Sequence, residues 1–345
     1  MNKPDPGEEG QFLNGVEPLT SLPFGVSRYY AGLAGSDDPD SDPIAAQYIP
    51  RPAELVSLPY ESDDPIGDRR FLVTDRLIHH YRDRALLLVS DRCATYCRHC
   101  FRRHFTGHGG GRLTAAQLES ACAYLAATPA IREVLLSGGD PLMLSDQELQ
   151  SVMSRLKRVD PAYILRLCTR MPVVLPSRIT DGLAHVLQQF QGVWVVIHAN
   201  HPRELSGEFR AGVRRLLNAG APVMNQAVLL KGINDDVDTL ETLFRGLLAA
   251  GVKPYYLFQG DLAAGTAHFR VDLGRGMELM RELRGRLSGM ALPTYAVDLP
   301  RGGGKVAVEQ SLIRVEPEAY VLRGGDGTEY RYPREGSPSR TAEPA

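Results

Sequence analysis

The residues best suited to chemistry are three cysteines, Cys93, Cys97 and Cys100, in "DRCATYCRHCFRRHF" (91–105). Clustered thiols in a 345-residue chain with only five cysteines do not make a disulfide framework; they point to metal or redox chemistry. A four-iron cluster needs one ligand at each iron, so three thiolates leave one iron open to a small molecule. The alternative is a zinc site completed by His99 or His104. Zinc motifs usually bring a second cysteine pair, which is absent here. Cys122 and Cys168 read as packing cysteines.

Two glycine-containing stretches are further candidates. "LSGGDPLML" (136–144) carries Gly138, Gly139 and Asp140, where glycine allows close backbone approach to a ligand and exposed carbonyls can accept from an ammonium group. "DLPRGGGK" (298–305) ends in Lys305 after three flexible glycines. It is not a nucleotide-binding loop, because the upstream glycine is missing and Val306 stands in place of serine or threonine. A solvated lysine on a surface turn is the plain alternative.

These residues need a scaffold. Short apolar runs at 85–90, 132–137, 163–168, 193–197, 222–230 and 254–258 have the texture of parallel strands covered on both faces. Segments 114–128, 146–159, 181–190, 207–220 and 236–251 between them, and 275–288 after the last, place apolar residues at helical spacing. The alternation predicts an α/β fold, either a partial barrel or an open wound sheet, with chemistry on loops after the strands' carboxyl ends. The cysteines directly follow the first strand. Residues 1–75, dense in proline and aspartate, read as an extended N-terminal arm. The expected division is arm 1–75, core 76–292, C-terminal segment 293–332 and disordered tail 333–345.

With 43% apolar and 23% charged residues the composition is that of a globular protein. The net charge of −2 gives no general attraction to nucleic acid or anionic membrane. No apolar run reaches the length of a membrane span, and a cytoplasmic location is expected.

The C-x-x-x-C-x-x-C spacing, with His99 before its last cysteine, resembles the signature of the radical S-adenosylmethionine superfamily. "DRALLLVSDRCATYCRHCFRR", "VLLSGGDPLML", "RMPVVLPSRIT", "HANHP", "NQAVLLKGIND", "YYLFQGDLAAGTAHFR" and "PTYAVDLPRGGGK" are together similar to the lysine 2,3-aminomutase family. The resemblance implies a partial (β/α)6 TIM-like barrel holding a [4Fe-4S] cluster on Cys93, Cys97 and Cys100. It implies S-adenosylmethionine at the open iron, near His99, Gly138, Gly139, Asp140, His198 and Gln226. Pyridoxal 5′-phosphate would be held by Lys305, with Arg84 at its phosphate. A radical 1,2-amino shift needs a π-bond on nitrogen, which that cofactor supplies as an imine.

By the same resemblance Arg102 grips the substrate carboxylate, and Asp261 and Asp298 receive the distal ammonium of lysine. Two anions would repel a glutamate side chain. An electron donor such as flavodoxin or ferredoxin is implied, and the arm suggests subunit exchange in a homo-oligomer. The sequence departs from the family pattern at His80, where a second phosphate-binding arginine is expected, and at Arg301, which interrupts a glycine run. No cysteine follows Cys168 to hold the C-terminal zinc of longer relatives. The rivals are the branch supplying β-lysine to elongation factor P, an arginine or ornithine aminomutase, and a nucleic-acid-modifying radical enzyme suggested by the basic "CRHCFRRHF".

Overall fold

A computed structural model describes residues 22–336, with Phe12 and Leu13. All six expected strands form: β1 (Arg84–Ser90), β2 (Glu133–Gly138), β3 (Ile164–Thr169), β4 (Val193–Ile197), β5 (Val223–Val228) and β6 (Lys253–Phe258). The helices are α1 (Ala115–Ala127), α2 (Asp146–Val159), α3 (Asp181–Gln188), α4 (Gly207–Asn218), α5 (Val237–Ala249) and α6 (Leu273–Arg286). Their starts are set by side chains that satisfy otherwise unpaired helix amides. Thr114 and Ser145 form capping boxes with Gln117 and Glu148, and Ser206 and Asp236 cap α4 and α5.

The strands pair in parallel and in chain order, as right-handed β/α crossovers demand. Their side chains alternate. In β3, Leu165, Leu167 and Thr169 are buried, whereas Ile164, Arg166 and Cys168 are partly exposed on the opposite face. The sheet runs beyond the expected six strands. A seventh parallel strand, β7 (Thr294–Leu299), joins β6 and turns back as antiparallel β8 (Gly304–Ala307). At the other edge Leu72–Thr74 and Leu77–Tyr81 add antiparallel to β1. The two edge strands do not pair, so the barrel stays open. The seam is bridged by the Lys305 N–H, which donates to the Tyr81 hydroxyl at 2.8 Å, and by His80 Nε2, 3.1 Å from the Gly302 carbonyl.

Leu312–Val315, Ala319–Arg323 and Glu329–Pro333 form a separate antiparallel sheet. Residues 337–345 of the expected tail, and 1–11 and 14–21 of the arm, lie outside the described residues. Among the described residues no helix is long and apolar enough to cross a membrane.

The described arm carries only short elements: one four-residue helix, Arg28–Ala31, short 3-10 turns, the paired strands Phe12–Leu13 and Val26–Ser27, and the edge strand Leu72–Thr74. It is nevertheless buried, with Leu22, Val26, Tyr30 and Ile44 in the interior. Its carbonyls hold the cysteine loop. Gly25 accepts from the Tyr96 amide and Gln47 from the Arg98 amide, each at 2.9 Å. Glu54 is wholly buried, grips Arg98 through two bonds of 2.9 and 2.6 Å, and pairs with Arg103 at 2.5 Å.

Removing one partner of a buried ion network strands the remaining charges. Glu54→Gln is therefore expected to cost about 3–5 kcal/mol. The check is a lowered denaturant midpoint, with faster proteolysis of the arm.

Candidate active site

The cysteine loop leaves β1 at the carboxyl edge of the sheet. Cys93, Cys97 and Cys100 are free and partly exposed. Burial pushes the Cys93 thiol well up, and Asp140, Cys100 and Cys97 add to the effect; Cys100 is raised by burial and then by Cys97. The three sulfurs thus lie within one another's fields. Among the described residues no three His, Cys, Asp or Glu side chains converge on a point where one metal ion would sit. Thiolates that each take a different iron do not have to converge.

The "GGD" stretch packs on the root of this loop. A Cβ at Gly138, where φ is +124°, would lie 2.2 Å from the Ser90 carbonyl oxygen, and one at Gly139 would lie 2.3 Å from that of Arg92. The backbone these glycines admit in this structure is the cysteine loop itself. The Asp140 carboxylate accepts from the Leu142 amide at 2.9 Å, the Arg170 amide at 2.7 Å and the Thr169 hydroxyl at 2.7 Å. It ties β2 to β3.

His99 lies within the loop, and His198 lies close to it. The His99 Nε2 is 3.4 Å from the Asn200 amide nitrogen, and its ring meets Phe269 edge-on. Burial holds its pKa well below the ordinary value. His198 is pulled from 6.5 to about 4 by burial and then by Arg170, against a hydrogen bond with Gln226. A histidine kept neutral in the fold but able to charge when unfolded gives the unfolded state the extra protons. Stability is therefore expected to fall as pH drops from about 6.5 towards 4. Thermal melts across that range check this, and His198→Gln should make the dependence shallower, with His99 and His268, also depressed by burial, among the groups that supply the remainder.

The second pole lies at β6, β7 and β8. In the β7–β8 hairpin Asp298 and Lys305 are cross-strand partners, and Lys305 Nζ is 3.7 Å from the Asp298 carboxylate. The amine lies 4.4 Å from the ring centre of Phe258 and 5.2 Å from that of Tyr256. Asp261, just past β6, has its pKa raised well above the usual carboxylate range by burial and then by Asp298, with Lys305 and Arg102 opposing. Asp261, Asp298, Lys305 and Arg102 therefore share one electrostatic neighbourhood. Cys168 belongs to it as well: burial raises its thiol, against Arg166, Arg102 and Lys305.

Arg102 is buried, with its Nε bonded to Asp68 at 2.8 Å. Burial works against its charge, and Asp68, with Cys100 and Cys168, more than compensates. Arg84 pairs with Asp83 at 2.9 Å and lies 3.9 Å over the Tyr81 ring. His80 stacks on Phe71 while reaching Gly302 across the seam. Arg301 has φ +57°, the left-handed region that explains why glycine is favoured there.

A model described as the radical SAM superfamily matches residues 87–243, and one described as lysine-2,3-aminomutase matches residues 280–343. A putative L-lysine 2,3-aminomutase of Treponema pallidum is 44% identical, with 89% of each chain covered. The chain belongs to the lysine 2,3-aminomutase family. An L-lysine 2,3-aminomutase of Bacillus subtilis is 39% identical over 96% of this chain and 70% of that one. A glutamate 2,3-aminomutase of Clostridioides difficile is 38% identical over 89% of this chain and 73% of that one. Relatives of this chain are thus named for different amino acids.

Within this family frame the basic "CRHCFRRHF" loses its resemblance to a nucleic-acid patch. Arg98 and Arg103 are buried on Glu54, and Arg102 on Asp68. Reading the sequence alone misses Glu54, Asp68, Tyr81, Arg170 and Glu204. Glu54 and Asp68 sit in a proline- and aspartate-rich arm where acids are expected to be solvated. Only Arg170, in the quoted "RMPVV", carries a local signal, a cation directly after a strand.

Proposed function

We propose that the chain interconverts L-α-lysine and β-lysine by a radical 1,2-amino shift, using a four-iron cluster, S-adenosylmethionine and pyridoxal phosphate. The observation that carries this reading is the pairing of Asp261 and Asp298 in one buried neighbourhood with Lys305 and Arg102. That arrangement offers a cation to one end of an amino acid and two carboxylates to the other. Lysine, with an α-carboxylate and a distal ammonium, matches it in charge. The side-chain carboxylate of glutamate would meet repulsion instead.

The residues fit the cofactors the family implies. The three free thiols suit a cluster with one open iron. His99, His198 and Gln226 supply uncharged polar groups beside the loop, suited to S-adenosylmethionine. Lys305 presents a partly exposed amine against aromatic faces, and Arg84 is a nearby cation for a phosphate. When bound, the cluster and S-adenosylmethionine supply a primary carbon radical, and pyridoxal phosphate a π-bond on nitrogen that accepts a radical.

The chain's part is to bind, orient and shield. Arg102, its Nε held by Asp68, presents the remaining guanidinium nitrogens to the substrate carboxylate. Asp261 and Asp298 hold the distal ammonium, so the substrate is fixed at both ends and one β-hydrogen has a defined direction. Tyr256 and Phe258 cover one side of the Lys305 amine. A low-potential one-electron donor, of the flavodoxin or ferredoxin kind, would reduce the cluster.

The test is anaerobic incubation of iron- and sulfide-reconstituted protein with dithionite, S-adenosylmethionine and, in turn, lysine, glutamate, arginine and ornithine. Conversion of lysine to β-lysine is expected. Isomerisation of another of the four, with lysine unchanged, would overturn the substrate assignment.

A further inference from the structure

Arg170, the first residue after β3, has a side chain only 9% exposed. Every nitrogen of its guanidinium is engaged. Nε donates to the His198 carbonyl at 3.3 Å, and Nη2 to the Tyr30 hydroxyl at 2.9 Å, to Glu204 at 2.6 Å and to the Gln47 side-chain oxygen. Nη1 donates to the Cys97 sulfur at 2.7 Å. Glu204 is itself fully buried and also accepts from the Tyr30 hydroxyl and from the Asn200 and His201 amides. The guanidinium therefore cannot swing away from the thiol without stranding buried donors.

We propose that Arg170 is a positioning residue for the iron–sulfur cluster, its Nη1–H donating to the Cys97 ligand sulfur so as to hold that ligand and favour the reduced state. This rests on the cluster reading above. Reduction by one electron adds negative charge that spreads onto the ligand sulfurs. A fixed cationic donor stabilises that state more than the oxidised one, and more so in a site shielded from water. Hydrogen bonds to sulfur are among the levers that set cluster potentials. Arg98, Arg102 and Arg103, which stand near Cys97 and Cys100 in sequence, pair with Glu54 and Asp68. The cation on Cys97 comes instead from a different strand.

The experiment is a potentiometric titration of the reconstituted protein, without substrate, read by electron paramagnetic resonance. Arg170→Gln leaves Glu204 three donors, so folding is expected to survive. With iron and sulfide equal to wild type, its ratio of reduced to oxidised cluster at fixed potential should fall at least tenfold, a shift of about 59 mV for one electron. Arg170→Lys, which keeps a charged donor, should fall between the two. Unchanged potential and spectrum in Arg170→Gln overturn the proposal. Should that variant take up no iron, wild-type protein labelled with 15N in arginine guanidinium groups decides the matter. Hyperfine coupling to the reduced cluster supports the proposal, and its absence overturns it. Failure of wild type to bind iron and sulfide would instead remove the cluster reading beneath it.

Discussion

Lys305→Ala is expected to lower lysine turnover by at least about 10³-fold, within the range that one positioned catalytic group contributes. The cluster's electron paramagnetic resonance should remain as in wild type. Lys305 reaches its position through the β7–β8 hairpin, whose register sets it opposite Asp298, and through the Tyr81 hydroxyl, which accepts from its amide. Its amine faces Phe258 and a carboxylate 3.7 Å away. No other lysine shares this neighbourhood in the described structure, so the variant has no substitute amine. Borohydride treatment of wild type loaded with pyridoxal phosphate should fix the label on the peptide containing Lys305. Lys305→Arg, which keeps the charge but cannot form the covalent link, should be as inactive as the alanine variant. Turnover within tenfold of wild type in either variant would remove Lys305 from the chemistry.

Asp261→Asn and Asp298→Asn should each raise the KM for lysine about 30- to 1,000-fold, the effect of about 2–4 kcal/mol when one member of a buried charge pair is lost. Asp298 also contacts Lys305, so its variant should lower kcat as well, whereas Asp261→Asn should act mainly on KM. A pH signature accompanies this. The Asp261 carboxyl is held protonated to higher pH than usual by burial and by Asp298, and the form that binds a cation is the ionised one. Lysine affinity is therefore expected to rise with pH until that carboxyl ionises, and binding below that point should release a proton. Calorimetry in two buffers of different ionisation heat measures the release, which Asp261→Asn should abolish. Equal KM values for variant and wild type would dissociate these aspartates from the substrate.

Much of the scaffold is legible from the chain because strand and helix patterning is local. All six strands lie within a residue or two of their apolar runs. The edges were less legible. "LIHHY" (77–81) looks too polar for a sheet strand, yet it pairs antiparallel between β1 and Leu72–Thr74, because β1 offers free backbone groups there. The burial of the described arm is invisible in the sequence. Apolar side chains such as Val26, Tyr30 and Ile44 enter the core, and ion pairs whose anions and cations stand 34 to 49 residues apart tie the arm to the cysteine loop.

By itself the sequence determined the reactive inventory: three thiols at a fixed local spacing, a lysine after flexible glycines, and a β/α rhythm that sends the cysteines to the carboxyl edge of a sheet. Those features depend on residues within a turn or a strand of each other, where chain connectivity alone limits geometry. Only the tertiary structure decided which charges meet. Arg102 is oriented by Asp68 from the arm, the Asp261 carboxyl is raised by burial and then by Asp298, and Cys97 accepts from an arginine 73 residues away. Such pairings carry no sequence period, because their energy arises only when burial removes water and makes each lone charge costly.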